Sequence, residues 1–129
     1  MQVMKTAVIL STYNAPDRLQ PTLVGYAQQA YRDFELIVAD DGSTEATLRV
    51  IQEVSTQFNL PIKHVWQEDI GFRKCRILNQ AMASTHADYL IFSDGDCIPR
   101  RDFVAKHVQL ARPGCFLSGG YLKLNAKAS

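Results

Sequence analysis

Four short apolar runs, each stopping abruptly at a cluster of polar residues, set the limits on what this chain can become. Thr6-Ala-Val-Ile-Leu runs into Ser11-Thr-Tyr-Asn14, and Phe34-Glu-Leu-Ile-Val-Ala runs into Asp40-Asp-Gly-Ser-Thr44. The third run, 62–66, meets Gln67-Glu-Asp-Ile-Gly71, and Tyr89-Leu-Ile-Phe meets Ser93-Asp-Gly-Asp96. Apolar runs of this length bounded by turn residues read as buried strands. Between them the apolar residues recur at helical spacing: Leu19, Leu23, Tyr26, Ala27 and Ala30, then Leu48, Ile51, Ser55 and Phe58. Ile77, Leu78, Ala81 and Met82 give a third helical face, and Val104 and Val108 a fourth. Strands alternating with helices predict an α/β fold with a mainly parallel sheet. Right-handed crossovers then place helices on both faces.

The expected helices cover roughly 17–30, the stretch after Ser43 to about 59, 73–83 and 102–110. Ser43 suits a helix N-cap and Glu45 a first turn. Pro21 is tolerable only near the start of its helix. Gly25 weakens that helix and reads as a point of close packing on the sheet. Residues 115–118 read as a fifth strand closed by Gly119 and Gly120.

The 129 residues, 47% hydrophobic and 21% charged, fit one compact domain with one core. A formal net charge of +1 gives no general case for nucleic acid or an anionic membrane. Cys75, Cys97 and Cys115 are scattered, with no paired spacing, which fits a reducing cytoplasmic setting better than a disulfide framework. No run approaches the roughly 20 apolar residues that span a bilayer. We divide the chain into a domain over 1–124 and a loose tail over 125–129.

Because every polar cluster follows a strand, all four should gather at the carboxyl edge of the sheet, where open α/β sheets bind ligands. Asp94 and Asp96 flank Gly95, whose permissive backbone lets the chain turn. Two hard oxygen donors so close together suit Mg2+ or Mn2+, completed by phosphate and water. The plain alternative is a solvated turn. Asp40 and Asp41 are chain neighbours whose side chains should point opposite ways. One could accept a hydrogen bond from a sugar hydroxyl or base N–H; the alternative is helix-dipole and turn chemistry. Arg73, Lys74 and Arg76 open a helix where cations oppose the dipole, which points to a bound diphosphate or else a solvated surface. His64, His86 and His107 read as structural or exposed, and Trp66 as core or rim. Neither a dinucleotide fingerprint nor a P-loop is present.

Taken together, A-V-I-L-S-T-Y-N at 7–14, V-A-D-D-G-S at 38–43, G-F-R-K-C-R-I-L-N-Q-A at 71–81 and F-S-D-G-D-C-I-P at 92–99 resemble the catalytic domain of family 2 glycosyltransferases. The last two stretches are most similar to bacterial polysaccharide synthases of the chondroitin-polymerase type. The resemblance implies the GT-A fold, a three-layer α/β/α sandwich with strand order 3-2-1-4. It implies a nucleotide-diphosphate sugar donor, with a UDP-sugar first, and Mn2+ or Mg2+ as cofactor. Ser11 and Tyr13 would border base and ribose, Asp41 would meet the base, and Arg73 or Lys74 would lie near the nucleotide. Asp94 and Asp96 match the family's DxD motif, with Asp96 as the direct metal ligand and Asp94 as metal ligand or ribose contact. The acceptor would be a saccharide or lipid-linked saccharide hydroxyl, attacking with inversion in bacterial surface polysaccharide synthesis. This places the chain in the cytoplasm or at the inner face of the membrane. The family's catalytic base lies further along and matches no residue here, as expected of a donor-binding portion without the acceptor side. A nucleotidyltransferase would carry a Gly-rich basic loop where this chain has S-T-Y-N-A-P. A receiver domain would carry its acid pair after the first strand, not the second. A non-catalytic nucleotide-binding module is the third alternative.

Overall fold

A computed structural model describes residues 5–67 and 74–110, with all of their side chains except those of Lys74, Cys75 and Leu110. The expected fifth strand, Arg73 and the tail lie outside the described residues. The elements alternate as expected: β1 (Thr6–Thr12), α1 (Pro16–Ala27), β2 (Phe34–Asp40), α2 (Glu45–Gln57), β3 (Ile62–Trp66), α3 (Lys74–Ala83), β4 (Tyr89–Asp94) and α4 (Phe103–Leu110). Among them the four strands form one sheet in the order β3-β2-β1-β4, and every pairing is parallel.

β1 is central. Ala7 to Leu10 are fully buried because helices cover both faces of the sheet, which is why the run is apolar without alternation. Side-chain alternation still sorts residues between two cores. Val8, Leu10, Leu36 and Val38 pack with Leu19, Leu23 and Tyr26 of α1, Ile51 and Val54 of α2, and Val104 of α4. Ala7, Ile9, Ile37 and Ala39 pack with Ile77 and Ala81 of α3. The register sets Ser11 beside Ala39 on one side and Asp94 on the other.

Several local expectations need correction. The N-cap of α2 is Thr44 rather than Ser43, and no side chain caps it. Ser43 is instead spent on the first loop, described below. Leu48 is exposed, because the stripe of α2 that turns inward is Thr47, Ile51 and Val54. Ala30 lies beyond α1 and is exposed. α1 opens on Pro16, a favourable first position, so Pro21 falls in its second turn. There Thr22 Oγ1 donates to the Arg18 carbonyl at 3.0 Å.

Gly25 does mark a close approach, but to the loop after β4 and not to the sheet. A Cβ on Gly25 would lie 2.8 Å from Pro99 Cδ and 3.1 Å from its Cγ. Gly25→Ala gains about 1 kcal/mol of helix propensity but incurs an overpacking cost of about 1–3 kcal/mol. We expect a net loss of stability, seen as a lower urea midpoint. In a Pro99→Ala background the same change should stabilise. Equal effects in both backgrounds would mean that the two residues do not meet.

Candidate functional site

The carboxyl edge is built outward from the last two residues of β1. The Ser11 carbonyl accepts the Gly95 N–H at 2.8 Å, and the Thr12 carbonyl accepts the Asp41 N–H at 3.2 Å. Both acid-bearing turns are therefore tied to the same strand end. Gly95 earns its place by packing rather than by an unusual backbone angle, since only Gly42 among the described glycines has positive φ, at 92°. A Cβ on Gly95 would sit 3.0 Å from the Ser11 carbonyl oxygen and 3.2 Å from both Thr12 Cβ and Leu19 Cδ1.

Ser11 Oγ donates to Asp94 Oδ1 at 2.9 Å, fixing that carboxylate against β1. Asp96 follows on the exposed turn, 4.0 Å from the Arg18 guanidinium at the start of α1. Both partners of that pair are solvent-exposed, where such pairs contribute little. One ligand atom each from Asp94, Asp96 and Cys97 lie within 4.8 Å of one another. The two carboxylates fit a hard divalent cation such as Mg2+ or Mn2+. The thiol adds a softer donor beside them.

Asp41 is buried, and one of its oxygens takes a 2.6 Å hydrogen bond from the Gln67 side-chain amide. Asp40, its neighbour, is also buried but turns the other way. Its Oδ1 accepts the Ser43 N–H at 2.9 Å, and its Oδ2 lies 2.7 Å from His64 Nε2. The opposed directions expected for this pair are therefore observed, with separate partners for each acid. Ser43 Oγ accepts the Asn14 N–H at 2.7 Å, and Asn14 Oδ1 accepts the Thr44 N–H at 2.9 Å. Asn14 itself is left-handed, φ 44°, a region Asn enters more readily than most residues. The loops after β1 and β2 are thus clasped together. Trp66 lies on the rim, half-exposed, its Nε1 donating to the Ser43 carbonyl at 3.1 Å.

Of the residues singled out from sequence, Ser11, Asp94 and Asp96 come together on one side of β1, and Asp41 stands at the end of the strand on its other side. Tyr13 is half-exposed in the intervening loop. Lys74 is the first residue of α3. Extending the alternation of the strands, Ser11, Asp41 and Asp94 belong to the face covered by α3, whereas Thr12 and Asp40 belong to the face of α1 and α2. Sequence reasoning places Asn14 and Gln67 in the polar clusters of this edge without giving either a role, and reads His64 as structural or exposed without finding its partner. The signal for Asn14 was weak but present, an Asn followed by Ala15-Pro16 at a strand end. His64 and Gln67 need the register of β3 on β2.

Residues 7–118 match the sequence pattern of the family described as Glycosyl transferase family 2. An uncharacterized glycosyltransferase, YfnE of Bacillus subtilis, is 37% identical over 107 residues, covering 82% of this chain and 26% of that protein. Chondroitin synthase of Escherichia coli is 31% identical over 105 residues, 81% of this chain and 15% of that protein. The chain thus spans about a quarter or less of these relatives' length. The mannosyltransferase PcManGT from Pyrobaculum calidifontis, solved with GDP-Man and Mn2+, superposes with a TM-score of 0.75 at 27% identity, over 87% of this chain and 34% of that one. Staphylococcus aureus TarS with UDP-GlcNAc superposes with a TM-score of 0.67 at 26% identity, over 82% of this chain and 30% of that one. The sandwich is the GT-A fold. With the pattern running through all four polar clusters, this chain belongs to glycosyl transferase family 2.

Proposed function

We propose that the carboxyl edge binds a nucleotide-diphosphate sugar together with a divalent cation, for transfer of the sugar to a hydroxyl acceptor with inversion. The observation that carries this reading is the convergence of Ser11, Asp41 and Asp94 on one face of that edge, with the Asp94 and Asp96 ligand atoms within 4.8 Å. Relatives solved in complex with GDP-Man and Mn2+, and with UDP-GlcNAc, support a donor of this class. We take UDP as the nucleotide and a saccharide or lipid-linked saccharide as the acceptor. The synthesis of bacterial surface polysaccharide is the setting that the chondroitin synthase relative favours.

The division of labour follows from the environment of each group. Asp41, held by Gln67 at 2.6 Å, accepts a hydrogen bond from a base N–H. Ser11 and the half-exposed Tyr13 border the base and ribose. Asp96, on the solvated turn, is the direct ligand for Mn2+ or Mg2+. Asp94, restrained by Ser11, completes the metal site or meets the ribose. Arg73 or Lys74 is the cation we assign to the nucleotide, on the family resemblance alone. The cation would offset charge on the departing nucleoside diphosphate.

Two measurements test this. Two carboxylates and water make a weak Mn2+ site until substrate phosphates join it. Metal and UDP should therefore each tighten the other's binding by the same factor. Calorimetric titration of UDP with Mn2+ and with EDTA should show that coupling in the parent chain. Asp96→Asn should abolish most of it and leave the fold intact, with Asp94→Asn doing less. A parent chain indifferent to metal would return the acids to a solvated turn, and coupling that survives in Asp96→Asn would move the metal to other ligands.

The second concerns Asp41→Ala. Removing one hydrogen bond to a charged group costs about 1.5–3 kcal/mol. UDP should bind correspondingly more weakly in this variant with or without metal. Unchanged affinity would leave Asp41 with a turn role alone.

A further inference from the structure

The proposed chemistry gives no part to Asp40 or His64, yet the molecule keeps a fully buried carboxylate there. A buried charge is costly unless it is paired and hydrogen-bonded. Asp40 meets that demand with two bonds, from the Ser43 N–H at 2.9 Å and from His64 Nε2 at 2.7 Å. An ionised carboxylate only accepts, so the imidazole donates through Nε2. Such charge-assisted bonds are shorter and stronger than neutral ones.

The pair lies behind the candidate site. By strand alternation Asp40 and His64 share the face of α1 and α2, opposite to the face of Asp41 and Ser11. What it fixes leads forward in steps. Asp40 holds the Ser43 amide, Ser43 Oγ holds the Asn14 amide, and Asn14 Oδ1 holds the Thr44 amide. Asp41 and Gly42 lie between Asp40 and Ser43, so their turn is pinned at both ends. Tyr13 lies beside Asn14, whose left-handed backbone the same bonds restrain.

We infer that Asp40 and His64 are a positioning pair for the nucleotide: they set the Asp41 turn and the Tyr13 loop from behind without touching the ligand. This rests on the donor-binding reading above. The consequence is that breaking the pair loosens nucleotide binding even where the chain remains folded.

Trp66 is the single tryptophan of the chain, and its indole N–H binds the Ser43 carbonyl, so its emission reports on the same turn. The test is UDP titration with Mn2+, well below each variant's melting temperature, with circular dichroism as the check on folding. His64→Leu removes the donor and should weaken UDP by about tenfold, the lower end of what one charge-assisted hydrogen bond contributes. Its Trp66 emission should move to the red as the turn loosens and the indole meets water. His64→Gln, whose amide nitrogen can take the place of Nε2, should restore affinity to within about twofold and return the parent emission. Should His64→Leu fail to fold, Ser43→Ala cuts the relay further on while Asp40 stays paired with His64. That variant should weaken UDP with Trp66 emission near that of the parent. UDP affinity unchanged in His64→Leu, or in Ser43→Ala, overturns the inference and leaves the pair a stabilising role only. A His64→Gln variant as weak as His64→Leu overturns it as well. A parent chain with no affinity for UDP defeats the donor-binding reading itself, a separate outcome.

Discussion

Two backbone carbonyls at the end of β1 hold the functional edge together. β1 is flanked by parallel strands on both sides, and its ladders continue one step past the sheet on each side. Ser11 offers its carbonyl to Gly95, and Thr12 offers its own to Asp41. The turns after β2 and β4 are 54 residues apart when counted from Asp41 to Gly95 (95 − 41), yet both are referenced to neighbouring residues of one buried strand. With adjacent strands about 4.8 Å apart, the ends of β2 and β4 stand roughly 10 Å from each other across β1. A nucleoside can bridge that gap, which is why acids on both sides of the central strand can serve a single ligand. The requirement for glycine at position 95 follows from the same constraint, because a Cβ there would press on the Ser11 carbonyl.

The two-residue period of a strand then separates the groups we propose to meet the ligand from those we propose to hold them in place. Ser11, Asp41 and Asp94 fall on the face of α3, and Asp40 and His64 on the other. Two adjacent acids in sequence thereby acquire different partners. A shift of β2 by one residue would exchange them, placing Asp40 on the face of α3 and Asp41 toward His64. The buried apolar run from Leu36 to Ala39 resists that slip, since each of its residues already fits one of two cores.

The elements themselves were legible in the sequence, because short apolar runs and helical spacing are local signals. The strand order follows from the family resemblance, not from periodicity, and the parallel sheet agrees with it. What escaped depends on contacts between distant segments. Ser43 has the chemistry of a helix cap, but Asn14, 29 residues earlier, takes its hydroxyl. The sequence points Gly25 at the sheet, while its neighbour is Pro99 from the loop after β4. His64 looked unremarkable until the register placed Ile62, His64 and Trp66 along Leu36, Val38 and Asp40. The pairing of Ser11 with Asp94, across 83 residues, could be placed at one edge but not resolved to a hydrogen bond.

The four acids of the edge divide by exposure, and the division has a physical reason. Asp40 and Asp41 are buried, whereas Asp94 and Asp96 are open to solvent. A carboxylate that must read a base edge gains from being fixed in advance, because a buried hydrogen bond discriminates only if its geometry is set before the ligand arrives. That fixing costs desolvation, which His64, Ser43 and Gln67 offset with hydrogen bonds. A carboxylate that must receive a hydrated cation has the opposite need. Mg2+ and Mn2+ sites retain water and take phosphate oxygens, so a dry preformed cage would obstruct them. Leaving Asp96 in water costs the fold little and, in the proposed reading, keeps it accessible until cation and diphosphate arrive together. Asp94 lies between the two regimes: it is exposed, but Ser11 restrains it. On this view the strand ends carry the recognition that must be rigid, and the exposed turn carries the charge that must be exchangeable.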